Sequence, residues 1–241
     1  MQIPRIIAHR GSPKLAPENT LASFRQAARD GAAWVEFDVV LSADGRPVIF
    51  HDDALDRTTD GAGQVGDTPF DILRDLDAGS WFSRSYAGEM IPTLEEALDL
   101  FAELGLGFNM EIKPAPGREQ ETAVVALATA RDCWQGPVPL ISSFSRIAVA
   151  TAKEVQPGWP RGILFDHVAE DWRDAADKLE VVSVGANHRH LSREVVAAVH
   201  ATGRKVTAYT VNDEARASLL FSWGVDALFS DVPGVLLKSF P

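Results

Sequence analysis

The sequence predicts an α/β fold, a (β/α)8 TIM barrel, from three observations. Eight strand-like segments are rich in β-branched and aromatic residues, helix-like segments separate most of them, and the 241 residues suit a single barrel, for which about 250 is typical. The strand candidates are Arg5–His9, Trp34–Leu41, Phe108–Lys113, Val138–Ser142, Arg161–Phe165, Val181–Ala186, Lys205–Thr210 and Ala227–Ser230. A doubly wound open sheet is the alternative, but no Gly-x-Gly-x-x-Gly turn follows the first strand to support it.

Arg5–His9 ends in His9-Arg10-Gly11, and Pro13 and Pro17 then interrupt regular structure. Asn19 reads as the cap of a helix starting at Thr20, with Leu21, Phe24, Ala27 and Ala28 on one side and Gly31 at its end. Strand, helix, strand is the unit from which parallel sheets are built. Side chains alternate along Trp34–Leu41, so Glu36 and Asp38 share a face, about 7 Å apart. Two like charges on a buried face need a cation, a proton or water to offset them.

Ser42–Arg46 is too short for a parallel crossover, so Pro47–His51 is expected to fold back as a hairpin arm. With Asp44-Gly45 as a two-residue turn, Asp38 faces His51 at about 5 Å. Asp52 to Met90 reads as a long loop rich in Gly, Asp, Thr and Ser, a length that often marks a functional insertion. After Pro92, Thr93 and Glu96 form the capping box of a helix reaching Glu103. The later helix candidates are Glu119–Arg131, Ser145–Val155, Ala169–Leu179, Ser192–Thr202 and Asp213–Trp223.

A formal charge of −11 argues against a nucleic-acid partner, which calls for a basic stripe. Any phosphate must be met by local cations. The single cysteine, Cys133, allows no intrachain disulfide and fits a reducing compartment. No signal peptide or run of eighteen apolar residues is found, so the expectation is a cytoplasmic protein with no membrane partner. Whether it is a monomer or a homodimer is left open.

In a barrel of this kind, the strands' C-terminal ends form the active-site mouth. His9 and Arg10 end the first strand, Glu36 and Asp38 lie late in the second, and Asn109, Glu111 and Lys113 share a face of the next. Each alone also fits a solvated or structural role; together, at corresponding places, they point to function. Carboxylates without Cys or paired His suit a hard divalent cation, Mg²⁺ or Ca²⁺, better than zinc. His9 and His51 are suited to share proton transfers near neutral pH, and Arg10 and Lys113 to hold anionic oxygens. This describes a phosphodiester site. Three other readings rank lower. Lys113 as a Schiff-base nucleophile is disfavoured by neighbouring carboxylates, which raise its pKa. A non-catalytic phosphate binder has no need of a paired acid and base. A membrane-active phospholipase finds no support in the acidic charge or the single cysteine.

The ordered set His9-Arg10-Gly11, Pro17-Glu18-Asn19-Thr20, Glu36-Phe37-Asp38, His51-Asp52, Arg57-Thr58-Thr59-Asp60-Gly61, Pro92-Thr93-Leu94-Glu95-Glu96, Asn109-Met110-Glu111-Ile112-Lys113, Ser142-Ser143-Phe144, Val211-Asn212-Asp213 and Phe229-Ser230-Asp231-Val232-Pro233 resembles the glycerophosphodiester phosphodiesterases over nearly the whole chain. The resemblance implies a barrel with a small subdomain inserted after the second strand, here residues 52–90. It implies hydrolysis of a small-molecule glycerophosphodiester to glycerol 3-phosphate and an alcohol. It further implies His9 and His51 as general acid and base, Glu36, Asp38 and Glu111 as metal ligands, and Arg10 and Lys113 near the phosphate. Tyr209 stands where relatives commonly carry Trp. Phe144, Tyr209 and Trp81 are candidates for the pocket wall, Trp81 being equally suited to packing the insertion onto the barrel. Trp34, Trp159, Trp172 and Trp223 read as packing residues, His188 and His190 as residues near the rim, and His167 and His200 as surface residues.

Overall fold

The structure, a computed structural model, describes residues 2–241. Its first half contains β1 (Ile6–His9), α1 (Leu21–Arg29), β2 (Trp34–Leu41), β3 (Pro47–Ile49), α2 (Phe70–Asp75), α3 (Leu94–Leu104), β4 (Gly107–Ile112) and α4 (Glu119–Cys133). The second half contains β5 (Leu140–Ser143), α5 (Arg146–Val155), β6 (Arg161–Phe165), α6 (Trp172–Leu179), β7 (Ser183–Asn187), α7 (Arg193–His200), β8 (Lys205–Tyr209), α8 (Glu214–Trp223), β9 (Ala227–Ser230) and α9 (Pro233–Ser239). Parallel pairing runs β1-β9-β8-β7-β6-β5-β4-β2 and closes where β1 meets β2. The eight expected strands therefore form a closed TIM barrel, and β3 is an antiparallel arm on the outer half of β2.

Alternation along β2 sets the two sides of the wall. Phe37 points outward into a buried aromatic group with Phe24 of α1, Phe101 of α3 and Phe108 of β4; ring centroids are 5.0 Å for Phe24 and Phe101 and 5.3 Å for Phe37 and Phe101. Each such ring contributes about 1.5–3 kcal/mol through burial. Glu36 and Asp38, one residue to either side, are aimed the opposite way and are also buried. On α3 the capping box forms as expected between Thr93 and Glu96.

The hairpin register differs from expectation by one residue. Val39 pairs with Ile49 and Leu41 with Pro47, which places Phe50, not His51, opposite Asp38. The loop is three residues long, with Gly45 in the left-handed region at φ 80°, and Ser42 and Arg46 close it. A three-residue hairpin with glycine at that position is the next commonest solution after the two-residue turn.

Asn19 is not the cap of α1 either. Thr20 takes that role, its hydroxyl accepting from the Ser23 N–H at 3.2 Å. Residues 52–90 are more ordered than a loop: they hold α2 and two short 3₁₀ turns, Val65–Asp67 and Arg84–Tyr86. Leu55, Val65, Leu73, Ala78 and Ile91 build a small apolar cluster with Val40, Val48 and Phe50 of the hairpin. Elements this short carry too few turns to show a helical period.

Gly11 follows β1 at φ 87°, and a Cβ there would lie 2.3 Å from Ser23 Oγ and 2.6 Å from the Ser23 carbonyl carbon. Only glycine fits that backbone and that approach. Gly11→Ala is expected to destabilise the protein by about 2–4 kcal/mol, read as a lower urea midpoint with an unchanged slope.

Candidate active site

At the C-terminal ends of the strands lies a cavity of about 350 Å³. Every barrel strand contributes to its wall: His9, Glu36, Glu111, Ser142, Leu164, Asn187, Tyr209 and Phe229 come from β1, β2, β4, β5, β6, β7, β8 and β9 in turn. Arg10 and His51 complete the charged side, and Phe144 stands edge-on to Tyr209 at 5.7 Å on the opposite one.

The carboxylates of Glu36, Asp38 and Glu111 are gathered by the sheet register, since Asp38 and Glu111 are paired residues of β2 and β4. One oxygen from each lies within 4.8 Å of the others. Burial, with Asp38 beside it, pushes Glu111 up to about 8 against the pull of Lys113 and Arg10. Burial also raises Glu36 well above the usual carboxylate range, helped by Asp38 and Glu111 and opposed by Arg10. Asp38 feels the same burial, but Arg10, His51, Lys113 and Asn19 together hold it below its ordinary value. Three crowded acids of this kind suit a hard divalent cation, which offsets the burial and mutual repulsion that raise two of them. The buried Asn109 Oδ1 has no partner, a further oxygen consistent with such a site.

Arg10 is held in place from several directions. Its backbone is left-handed at φ 52°, a conformation that non-glycine residues rarely adopt. Its N–H donates to Glu36 Oε2 at 3.1 Å, its guanidinium donates to Glu18 at 2.8 Å, and its Nε sits 3.4 Å from Asp38 Oδ2. Asn19, also left-handed at φ 55°, donates from Nδ2 to Asp38 Oδ2 at 2.8 Å. It therefore orients a site carboxylate.

Both histidines are anchored through Nδ1. His9 Nδ1 lies 2.7 Å from Asp231 Oδ1, and Asn212 Nδ2 donates to the other Asp231 oxygen at 2.7 Å. His9 Nε2 is 3.9 Å from Glu36. His51 Nδ1 bonds to Asp52, while its Nε2 lies 2.8 Å from Lys113 Nζ. Burial lowers the His51 pKa, as do Arg10 and Lys113, against the opposing pull of Asp38 and Asp52. With Lys113 donating, His51 is the neutral tautomer that carries its proton on Nδ1. Asp52 in turn binds Arg57, which donates through both terminal nitrogens to Glu18 at 2.8 Å. A line of alternating charge thus joins His51 to Arg10.

The family model for the glycerophosphoryl diester phosphodiesterase family matches residues 9–235. The chain belongs to that family. As a glycerophosphoryl diester phosphodiesterase family member it is a phosphoric diester hydrolase. A glycerophosphodiester phosphodiesterase of Caldanaerobacter subterraneus subsp. tengcongensis is 34% identical over 238 residues, covering 97% of this chain and 96% of the relative. One of Bacillus subtilis is 32% identical over 250 residues, covering 96% and 85%. Among solved structures, an Oleispira antarctica phosphodiesterase in complex with the product sn-glycerol-3-phosphate superimposes with a TM-score of 0.96 at 42% identity, covering 98% of this chain and 96% of that one.

In this phosphodiesterase the residues expected at the site fall into three groups. His9, Arg10, Glu36, His51, Glu111, Phe144 and Tyr209 line the cavity. Asp38 and Lys113 stand behind that wall and act on it through Arg10 and His51. Trp81 does not reach it. Its indole N–H donates to Ala78 O at 2.8 Å and its ring packs edge-on against Phe82, so it serves its own segment.

The phosphodiesterase cavity also holds residues not expected from sequence. Asn187 and Arg189 line its far side, together with His188, which the sequence had placed near the rim. Asp231, Asp52 and Asn19 lay inside motifs already marked as family-like, and their roles follow only from spatial pairing. Among the described residues no helix is long and apolar enough to cross a membrane.

Proposed function

We propose that the chain hydrolyses glycerophosphodiesters to sn-glycerol 3-phosphate and an alcohol, with a divalent cation, Mg²⁺ or Ca²⁺, held by Glu36, Asp38 and Glu111. The observation that carries this reading is the grouping of three carboxylates at one cavity, Glu36 and Glu111 in its wall and Asp38 directly behind them, with two Nδ1-anchored histidines. It is further supported by the glycerol-3-phosphate complex of the Oleispira antarctica relative. The cation, when bound, supplies Lewis-acid polarisation of the phosphate.

The chain's own groups do the rest. Arg10 and Lys113 offset the charge of the phosphate oxygens, Arg through a fixed fork and Lys as a point charge. His9 and His51 divide the proton work: one accepts from the attacking oxygen, the other donates to the departing alkoxide. Holding Nδ1–H on a carboxylate leaves Nε2 as the exchanging nitrogen of each ring, that of His51 giving up its hydrogen bond from Lys113 Nζ to take part. Phe144 and Tyr209 form the wall against which the organic part of the substrate rests. Residues 52–90 act as an inserted subdomain whose Asp52 and Arg57 orient His51. A cytoplasmic location belongs to the same reading and is supported by the single cysteine.

The test is release of glycerol 3-phosphate from several glycerophosphodiesters, first with chelator and then with Mg²⁺ or Ca²⁺ restored. Activity is expected to vanish in chelator and return with the cation; release at the full rate in chelator would refute the metal assignment. Asp231→Asn, which changes the group holding His9 and leaves His9 itself in place, is expected to lower kcat about 10–100-fold with little change in KM, measured from initial rates.

A further inference from the structure

We propose a second metal site, of softer chemistry, on the rim of the cavity. Its ligands are Asp166 and His167, which directly follow β6, and His190, at the end of the 3₁₀ turn that follows β7. One donor atom from each lies within 4.8 Å of the others. Asp166 Oδ2 is the hub, 2.8 Å from His167 Nδ1 and 3.7 Å from His190 Nε2. Zinc bonds of about 2.0–2.1 Å at tetrahedral angles set ligand atoms roughly 3.3 Å apart. The two separations at Asp166 straddle that distance.

The carboxylate is already oriented from outside. Asn187 Nδ2 donates to Asp166 Oδ1 at 2.8 Å, leaving Oδ2 for the ion, the arrangement that typically fixes a ligating carboxylate. The two imidazoles are stacked, with centroids 3.4 Å apart and planes 24° from parallel. All three ligands are exposed, so rotation about their side-chain bonds brings both nitrogens to one ion.

Ligand type decides which ion. Two imidazoles and one carboxylate favour Zn²⁺, Cu²⁺, Ni²⁺ or Co²⁺ over Mg²⁺ or Ca²⁺, the reverse of the all-carboxylate group formed by Glu36, Asp38 and Glu111. The two sites therefore select different metals within one barrel mouth. His190 shares its turn with His188 and Arg189, and Asn187 immediately precedes it; those three line the cavity. An ion on the rim ties the loop after β6 to that turn and so acts on the wall of the cavity. The site rests on its own residues and not on the proposed hydrolysis.

The experiment is a Zn²⁺ titration of the metal-stripped full chain by calorimetry, with Co²⁺ absorption as a second probe. One Zn²⁺ equivalent is expected to disappear, or to weaken at least tenfold, in His167→Ala and in His190→Ala, along with the Co²⁺ bands of a nitrogen-ligated ion. The same equivalent is expected to persist in Glu36→Gln. Identical stoichiometry and affinity in the wild type and both histidine variants would overturn the proposal, as would loss of the histidine-dependent equivalent in Glu36→Gln.

Discussion

His9→Ala and His51→Ala are each expected to lower glycerol 3-phosphate release by about 10²–10⁴-fold, the usual contribution of a positioned acid or base. His9 and His51 are the two imidazoles that face the carboxylate side of the cavity, and each is oriented by an aspartate at Nδ1. Neither is fully buried, so the loss belongs to kcat and not to the fold. Steady-state rates alongside circular dichroism separate the two effects. Full activity in either variant would sink the acid-base assignment. The double variant is expected to lose little more than the worse single one, because groups acting as a unit are not additive.

The second large effect is linked to pH. Glu111, pushed up to about 8, and Glu36, raised in the same direction, both hold protons in the cation-free fold that they give up when unfolded. A carboxyl group whose folded pKa is raised contributes stability that is present below its unfolded pKa and is lost as pH rises through the folded value. Between about pH 4.5 and 8, the cation-free protein should therefore become progressively less stable from this source. Asp38, shifted downward, works the other way, losing its contribution only as pH falls through its lowered value. A divalent cation displaces the extra protons, so its affinity should rise across the same window. The rise in Tm on adding Mg²⁺ or Ca²⁺ is expected to be larger at pH 8.5 than at pH 5.5. In Glu36→Gln or Asp38→Asn that rise should shrink or vanish while the far-ultraviolet spectrum is kept. An equal rise at both pH values would separate these carboxylates from the cation.

Much of the barrel was legible because β strands and amphipathic helices write their period directly into the chain. Trp34–Leu41, Arg161–Phe165 and Ala227–Ser230 have the same bounds in sequence and structure. The hairpin slipped by one residue because Asp44-Gly45 fits both a two-residue and a three-residue loop, and only the backbone at Gly45 separates them. His51 still reaches the site, but from beyond the end of β3 and not by cross-strand pairing. Asn19 resembled a helix cap because Asn and Thr are both good caps; its left-handed backbone and its bond to Asp38 are tertiary facts. Asn187 and Arg189 lacked a motif and became visible only when β7 took its place in the ring. Short α2 and terminal α9 offered too little periodicity to be read.

The bond between His9 and Asp231 spans 222 residues of chain, and it joins the end of the first barrel strand to the residue just after the last. It forms only when β9 seats against β1. A nascent chain carries His9 well before the partner that orients it, Asp231, has been made. On the proposed role of His9, catalytic competence is thereby withheld from every incomplete barrel. Recovery of turnover after denaturation should then report closure of the ring itself, lagging behind the return of helical signal wherever that last docking is slow.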